Sequence, residues 1–81
     1  MKLRVLFFAA CRDITGTREL EIEVADDSDV GDLRRDLGER FPDLKRMGSA
    51  LSAAVNADYC RDSMVLAEGD EVSFLPPVSG G

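Results

Sequence analysis

The sequence contains no histidine and no tryptophan, a single tyrosine, and only two cysteines. Histidine is the commonest general base and metal ligand near neutral pH, so its absence removes the easiest route to both chemistries. Cys11 and Cys60 are too few for a disulfide framework, and they fall short of the four thiolates an iron–sulfur cluster needs. They read as small hydrophobic residues. Basic residues are also scarce: ten Lys and Arg stand against sixteen Asp and Glu, a net charge of −6. That balance argues against non-specific nucleic-acid binding, which depends on clustered cations neutralising phosphates, and against an anionic membrane surface. No aromatic platform for stacking bases and no phosphate-cradling glycine loop is visible. No run approaches the ~18 apolar residues of a spanning helix. The opening MKLRVLFFAAC resembles a secretory signal only superficially, because Arg12 and Asp13 follow its short apolar run directly. It reads as a strand, and the expectation is a cytoplasmic protein with neither nucleic acid nor membrane as partner.

What is present fits one small domain: 81 residues are too few for two. Residues 2–9 alternate, with Leu3, Val5, Phe7 and Ala9 on one face and Lys2, Arg4, Leu6 and Phe8 on the other. In 18–24, Leu20, Ile22 and Val24 alternate with Glu19, Glu21 and Glu23. The stretch 12–17 between them contains Gly16, so the two runs predict a hairpin. The period then changes. Val30, Leu33, Leu37 and Phe41 form a helical stripe, entered by Asp29 as N-cap with Asp32 three residues on and stopped before Pro42. Gly31 and Gly38 are each expected to weaken that helix by about 1 kcal/mol relative to Ala. Residues 43–49 read as loop with room for a turn of helix, 52–56 as a short strand, 56–58 as a turn and 59–60 as a very short strand. Gly69 and Asp70 turn the chain into a last strand, 71–75. The predicted class is α+β: a mixed sheet of four to five strands with one main helix across one face. The domain spans 1–75 and an extended tail 76–81.

Such a sheet has a second face. If the first and last strands are neighbours, Leu6, Phe8 and Leu75 meet there with no helix over them. A contiguous apolar patch rimmed by charge suggests docking, and each of these side chains buried by a partner contributes roughly 1.5–3 kcal/mol before association costs. Tyr59 is a candidate fourth contributor, since its ring can bury while its hydroxyl stays wet.

The chain finishes Pro76-Pro77-Val78-Ser79-Gly80-Gly81. The prolines end the ladder and favour an extended segment. The two glycines carry no Cβ to widen the tip. This shape suits threading a narrow channel to deliver the α-carboxylate of Gly81 to chemistry in another protein. A carboxylate is a poor electrophile, so it needs activation, most simply as an acyl-adenylate made with ATP. No machinery for that is visible in the chain, which therefore reads as a substrate and carrier.

The ending Gly69-Asp70-Glu71-Val72-Ser73-Phe74-Leu75-Pro76-Pro77-Val78-Ser79-Gly80-Gly81 closely resembles that of the small subunits of molybdopterin synthase. These are ubiquitin-like sulfur carriers of the β-grasp fold. Val5-Leu6-Phe7-Phe8-Ala9 followed by Arg12, and Ala54-Val55-Asn56, look like the same family. The resemblance implies that an adenylating enzyme activates Gly81 with ATP and that a persulfide-based sulfur-donor system converts it to a thiocarboxylate. The tip then enters the large synthase subunit, in a heterotetramer of two small and two large subunits. There it gives sulfur to a cyclic pyranopterin precursor, forming the molybdopterin dithiolene. It also implies that Gly81 carries the sulfur with Gly80 as its slender neighbour, and that Phe8, Arg12, Tyr59 and Leu75 match the docking surface. No cofactor is expected on the isolated chain, ATP being used by the activating enzyme. Rival readings are a thiamine-type sulfur carrier, a protein modifier conjugated through the same terminal glycine, and a pure protein-interaction domain.

Overall fold

Alternation in the first strand decides where the sheet's two faces lie. Leu3, Val5 and Phe7 of β1 (Lys2–Phe7) are buried, whereas Lys2 and Arg4 are exposed. The computed structural model describes residues 1–77; Val78, Ser79, Gly80 and Gly81, the distal part of the expected tail, lie outside the described residues. After β1 come α1 (Ala10–Thr15), β2 (Glu19–Glu23), α2 (Val30–Arg40), α3 (Pro42–Met47), a 3-10 turn (Gly48–Ala50), β3 (Ser52–Val55), β4 (Asp58–Tyr59) and β5 (Glu71–Leu75). They form one sheet in the order β2-β1-β5-β3-β4. β1 is antiparallel to β2 and parallel to β5, while β3 is antiparallel to both β5 and β4. The mixed sheet with its main helix on one face is as expected.

The core is built from one face of this sheet. Val5 and Phe7 stand in register with Val72 and Phe74 of β5, which in turn pair with Val55 and Ala53 of β3. Val30, Leu33 and Leu37 of α2 and Leu44 of α3 close over them in a single buried cluster. Helix α2 begins as its sequence dictates. The Asp32 backbone N–H donates to the Asp29 carboxylate at 2.8 Å, and the Asp29 N–H donates to the Asp32 carboxylate at 3.1 Å. That second bond, with the Arg35 guanidinium beside it, holds the Asp32 carboxyl below the usual range. The helix ends at Arg40, and Pro42 opens α3, where its missing N–H needs no partner.

The structure corrects or refines four expectations. The first strand stops at Phe7, and Ala9, expected on its core face, is exposed with φ of +50°. The chain breaks there to enter α1, so the expected antiparallel pairing of β1 and β2 holds, with a short helix in the link between them. Cys11 of that helix is fully buried, which gives so short a helix an anchor that local propensity could not supply. Residues 42–47 are likewise helix, held by buried Leu44. Lastly, Gly38 is a packing position as well as a residue of low helix propensity. A Cβ at Gly38 would stand 3.2 Å from the Cβ of Lys45 on α3, and one at Gly31 would stand 3.5 Å from the backbone oxygen of Asp62. The first contact is tight, so α3 approaches α2 closely where Gly38 lacks a side chain; the second is ordinary van der Waals contact.

Residues 60–70, without regular structure, are fastened at several points. Val30 and Gly31 N–H donate to the carbonyls of Met64 and Asp62, Val65 bridges Asp29, and Leu66 enters the core. The Arg34 guanidinium donates to the Asp62 carboxylate and to the Gly48 and Leu51 carbonyls, and lies 5.7 Å from the Phe74 ring centroid. One side chain thus ties α2 to the 3-10 turn, to the entry of β3 and to this crossing segment.

The β3–β4 turn, Asn56-Ala57, has φ of +50° and +75°, the left-handed pair that a two-residue hairpin loop requires. Asn tolerates this conformation; Ala does not. Ala57→Gly is expected to stabilise the fold by about 1 kcal/mol, read as a higher urea midpoint with unchanged slope.

Candidate functional site

Opposite the helices, the sheet carries no covering element among the described residues, and its register sorts the outward side chains into two halves. At the start of β1 the face is charged. Arg4 contacts Glu19 at 2.7 Å and Glu71 at 3.5 Å, and Lys2 contacts Glu21 at 3.5 Å. Pairs this exposed add little stability, but they give the face a polar boundary.

The other half is apolar. Leu6 pairs with Ser73, Ser73 with Ala54, and Ala54 with Tyr59, making one row across four strands. The Phe8 N–H donates to the Phe74 carbonyl at 3.4 Å, which carries the parallel register one residue past β1 and sets Phe8 beside Leu75. Leu75 in turn pairs with Ser52. Leu6 and Leu75 are half-buried and Phe8 is 45% exposed. Leu6, Phe8 and Leu75 are therefore adjacent, as their alternation predicts. Tyr59 is on the same face and 74% exposed, but it stands three strand positions from Leu6, roughly 14 Å at normal strand spacing. It flanks the patch at the far edge of the sheet.

Arg12 projects from α1 at the opposite flank, where it lines a depression of about 450 Å³ with Leu6 and Phe8. Arg18, which the sequence pattern did not single out, lines the same depression. The only available signal was a basic residue at the foot of an acidic strand, which by itself points nowhere. On the side of β5, the chain leaves the sheet at Leu75 directly into half-buried Pro76 and exposed Pro77. The root of the tail and the apolar patch therefore occupy one end of the sheet. Val78, Ser79, Gly80 and Gly81, expected as the threading tip, lie outside the described residues.

The thiols stand apart from this arrangement. Cys11 lies in the core; Cys60 is half-buried, with its Sγ 3.8 Å from the Ala53 carbonyl oxygen. Burial pushes both thiols above their ordinary value, so both are protonated at neutral pH. Among the described residues no group of three or more Asp, Glu, Cys or His side chains could hold a metal ion, and no helix is long and apolar enough to cross a membrane.

The sequence pattern of the ThiS family matches residues 5–81. A molybdopterin synthase sulfur carrier subunit from Mycobacterium tuberculosis is 39% identical over 82 residues, spanning 100% of this chain and 99% of that one. SAMP1 from Haloferax volcanii, a small archaeal modifier protein, superposes with a TM-score of 0.87 at 27% identity over 100% of both chains. A chain in the complex of subunits 1 and 2 of the molybdopterin-converting factor from Helicobacter pylori superposes with a TM-score of 0.70 at 28% identity, again over 100% of both. The architecture is the ubiquitin-like β-grasp that the tail and strand motifs led us to expect.

The assignment of faces has a direct test in stability. Phe8→Ser is expected to change the unfolding free energy by no more than about 0.5 kcal/mol, the range of ordinary surface changes. Phe74→Ala, one residue before Leu75 but on the core face, is expected to cost about 3–5 kcal/mol. Urea titration of both variants checks the contrast; similar losses would mean that Phe8 is a core residue.

Proposed function

That this chain belongs to the ThiS family is the premise from which we propose how it works: as the sulfur carrier subunit of a molybdopterin synthase, docking by the apolar end of its open sheet face and presenting Gly81 as the sulfur-bearing group. The observation that carries this reading is a coincidence of position. The patch of Leu6, Phe8 and Leu75 lies at the end of the sheet from which β5 runs into Pro76 and Pro77. A partner that covers the patch is thereby positioned to receive whatever follows the prolines. The likeness to a subunit found in complex with a second subunit supports a large-subunit partner, and a heterotetramer of two small and two large subunits is the assembly we propose.

The chemistry follows from the state of the terminus. An adenylating enzyme joins the Gly81 carboxylate to the α-phosphorus of ATP, expelling pyrophosphate, and AMP becomes a good leaving group. A persulfide sulfur from the donor system then attacks the carbonyl carbon and AMP departs. Reductive cleavage of the resulting S–S bond, by a thiol of that system, leaves a thiocarboxylate on Gly81. In the large subunit the thiocarboxylate sulfur attacks a carbon of the cyclic pyranopterin precursor and displaces the oxygen substituent there, which leaves with a proton. Water then cleaves the acyl–sulfur bond, leaving the sulfur on the precursor and returning the Gly81 carboxylate. Val78, Ser79, Gly80 and Gly81 form the threading tip, with Pro76 and Pro77 its stiff root. ATP is used by the activating enzyme, and the setting is the cytoplasm. The likeness to a modifier protein supports a second use of the same activated terminus, acyl transfer to a lysine amine.

Two outcomes are expected. Phe8→Asp or Leu75→Asp weakens binding to the large subunit by about 2 kcal/mol or more, as for an interface anchor, in calorimetric titrations of the folded variants. Unchanged affinity would remove the patch from the interface. Incubation with the activating enzyme, ATP and sulfur donor replaces one oxygen of the intact chain by sulfur, and fragmentation places the change on Gly81. The modification survives Cys11→Ala with Cys60→Ser. Deletion of Gly81 removes the sulfur-bearing residue and abolishes precursor conversion, because misplacement of the reacting group by even ~1 Å can cost a hundredfold. Sulfur found on a cysteine, or full conversion by the truncated chain, would overturn the mechanism.

A further inference from the structure

We propose that Arg18 is a specificity-determining contact of the docking surface: with Arg12 it forms a two-guanidinium rim that receives carboxylate side chains of the large subunit. The proposal rests on the reading that this chain docks on that subunit, and it adds a residue outside the apolar patch and the tail. Its basis is an uneven use of positive charge. Lys2, Arg4, Arg34, Arg35, Arg40 and Arg46 each pair with a carboxylate of this chain. Four cations, Arg12, Arg18, Lys45 and Arg61, are exposed and have no carboxylate partner among the described residues. Of these, Arg12 and Arg18 line the depression beside Leu6 and Phe8, and Lys45 and Arg61 do not. The single acidic residue lining it, Glu19, is already engaged by Arg4 at 2.7 Å. In a molecule of net charge −6, the depression next to the apolar patch is a local excess of positive charge.

The backbone fixes that placement. The Arg18 carbonyl accepts the Phe7 N–H at 2.9 Å, so the residue is held at the edge of β1 although it precedes β2. Arg12 is carried by α1, which buried Cys11 anchors. Arg18 therefore stands on the side of β1 away from β5 and shares with Arg12 the depression beside Phe8, and the chain leaves β5 toward Pro76 on the other side. An apolar patch attracts a partner without fixing its rotation, whereas paired charges set register. A planar guanidinium matches a carboxylate with two parallel hydrogen bonds. Carboxylates beside an apolar pocket on the large subunit would thus orient the carrier so that Pro76 and Pro77 point into the active site.

The test is stopped-flow association of the full chain with the large subunit across a range of ionic strength. Arg18→Glu and Lys45→Glu make the same change in net charge, but Lys45 sits on α3 against Gly38, in the helix layer. Arg18→Glu is expected to slow association on the order of tenfold at low salt, with the deficit closing as salt screens it. Arg18→Gln should show a smaller effect in the same direction, which guards against a misfolded reversal variant, and Lys45→Glu should leave the salt dependence near that of the unmodified chain. If Arg18→Glu and Lys45→Glu associate alike at every ionic strength while the unmodified chain binds, the rim is overturned and the docking reading stands. If the unmodified chain does not bind the large subunit, the docking reading fails and the rim fails with it.

Discussion

The parallel pairing of β1 with β5 is the constraint from which the other features follow. It brings residues 4–7 into register with residues 71–74, closing a loop of more than sixty residues, and inserts the last strand into the middle of the sheet. Every intervening element must then fit the space left: β2 on the outer side of β1, β3 and β4 beyond β5, and α2 across one face. The pairing also fixes the parity of both strands at once. Val5, Phe7, Val72 and Phe74 can only bury together, so Leu6, Phe8 and Leu75 can only emerge together. A slip of one residue would reverse both sets. The open apolar patch and the core are two sides of one register.

That parity is why the site was largely legible in the sequence. Alternation in 2–7 and 71–75 assigns faces without any knowledge of the fold, and the Asp29–Asp32 box before an apolar stripe predicts where α2 begins. What could not be read is what tertiary contact alone supports. Helix α1 has six residues, too few to hold by propensity; it exists because Cys11 is buried. The 60–70 crossing has neither period nor turn signal, and its path is set by Leu66 and by backbone bonds to Val30 and Gly31. Gly38 has a role that propensity does not register, since its missing side chain gives Lys45 of α3 room to approach. Arg18 lay outside any pattern because its significance depends on which other cations are already paired.

Arg34 illustrates how so small a domain keeps one face free for a partner. With its side chain mostly shielded, it satisfies two backbone carbonyls and the Asp62 carboxylate while its guanidinium lies against Phe74. Four segments meet at this one group on the helix side. The tightening is concentrated there, and the opposite face needs no loop folded across it. A domain of this length has little surface to spare for burial, so leaving Leu6, Phe8 and Leu75 uncovered is tolerable because the core on the other side is complete.

The position of the thiols bears on the chemistry proposed for the tail. An activated acyl group at Gly81 would be open to attack by any accessible thiolate, and its own chain carries two cysteines. Burial of Cys11 removes it from reach, and the raised pKa of both thiols keeps them in the less nucleophilic protonated form at neutral pH. Cys60 is further occupied by the Ala53 carbonyl of its own hairpin. On that reading the sulfur that meets the activated terminus must come from outside the chain. The same burial that makes Cys11 the anchor of α1 thus withholds its thiol from acyl chemistry at the terminus.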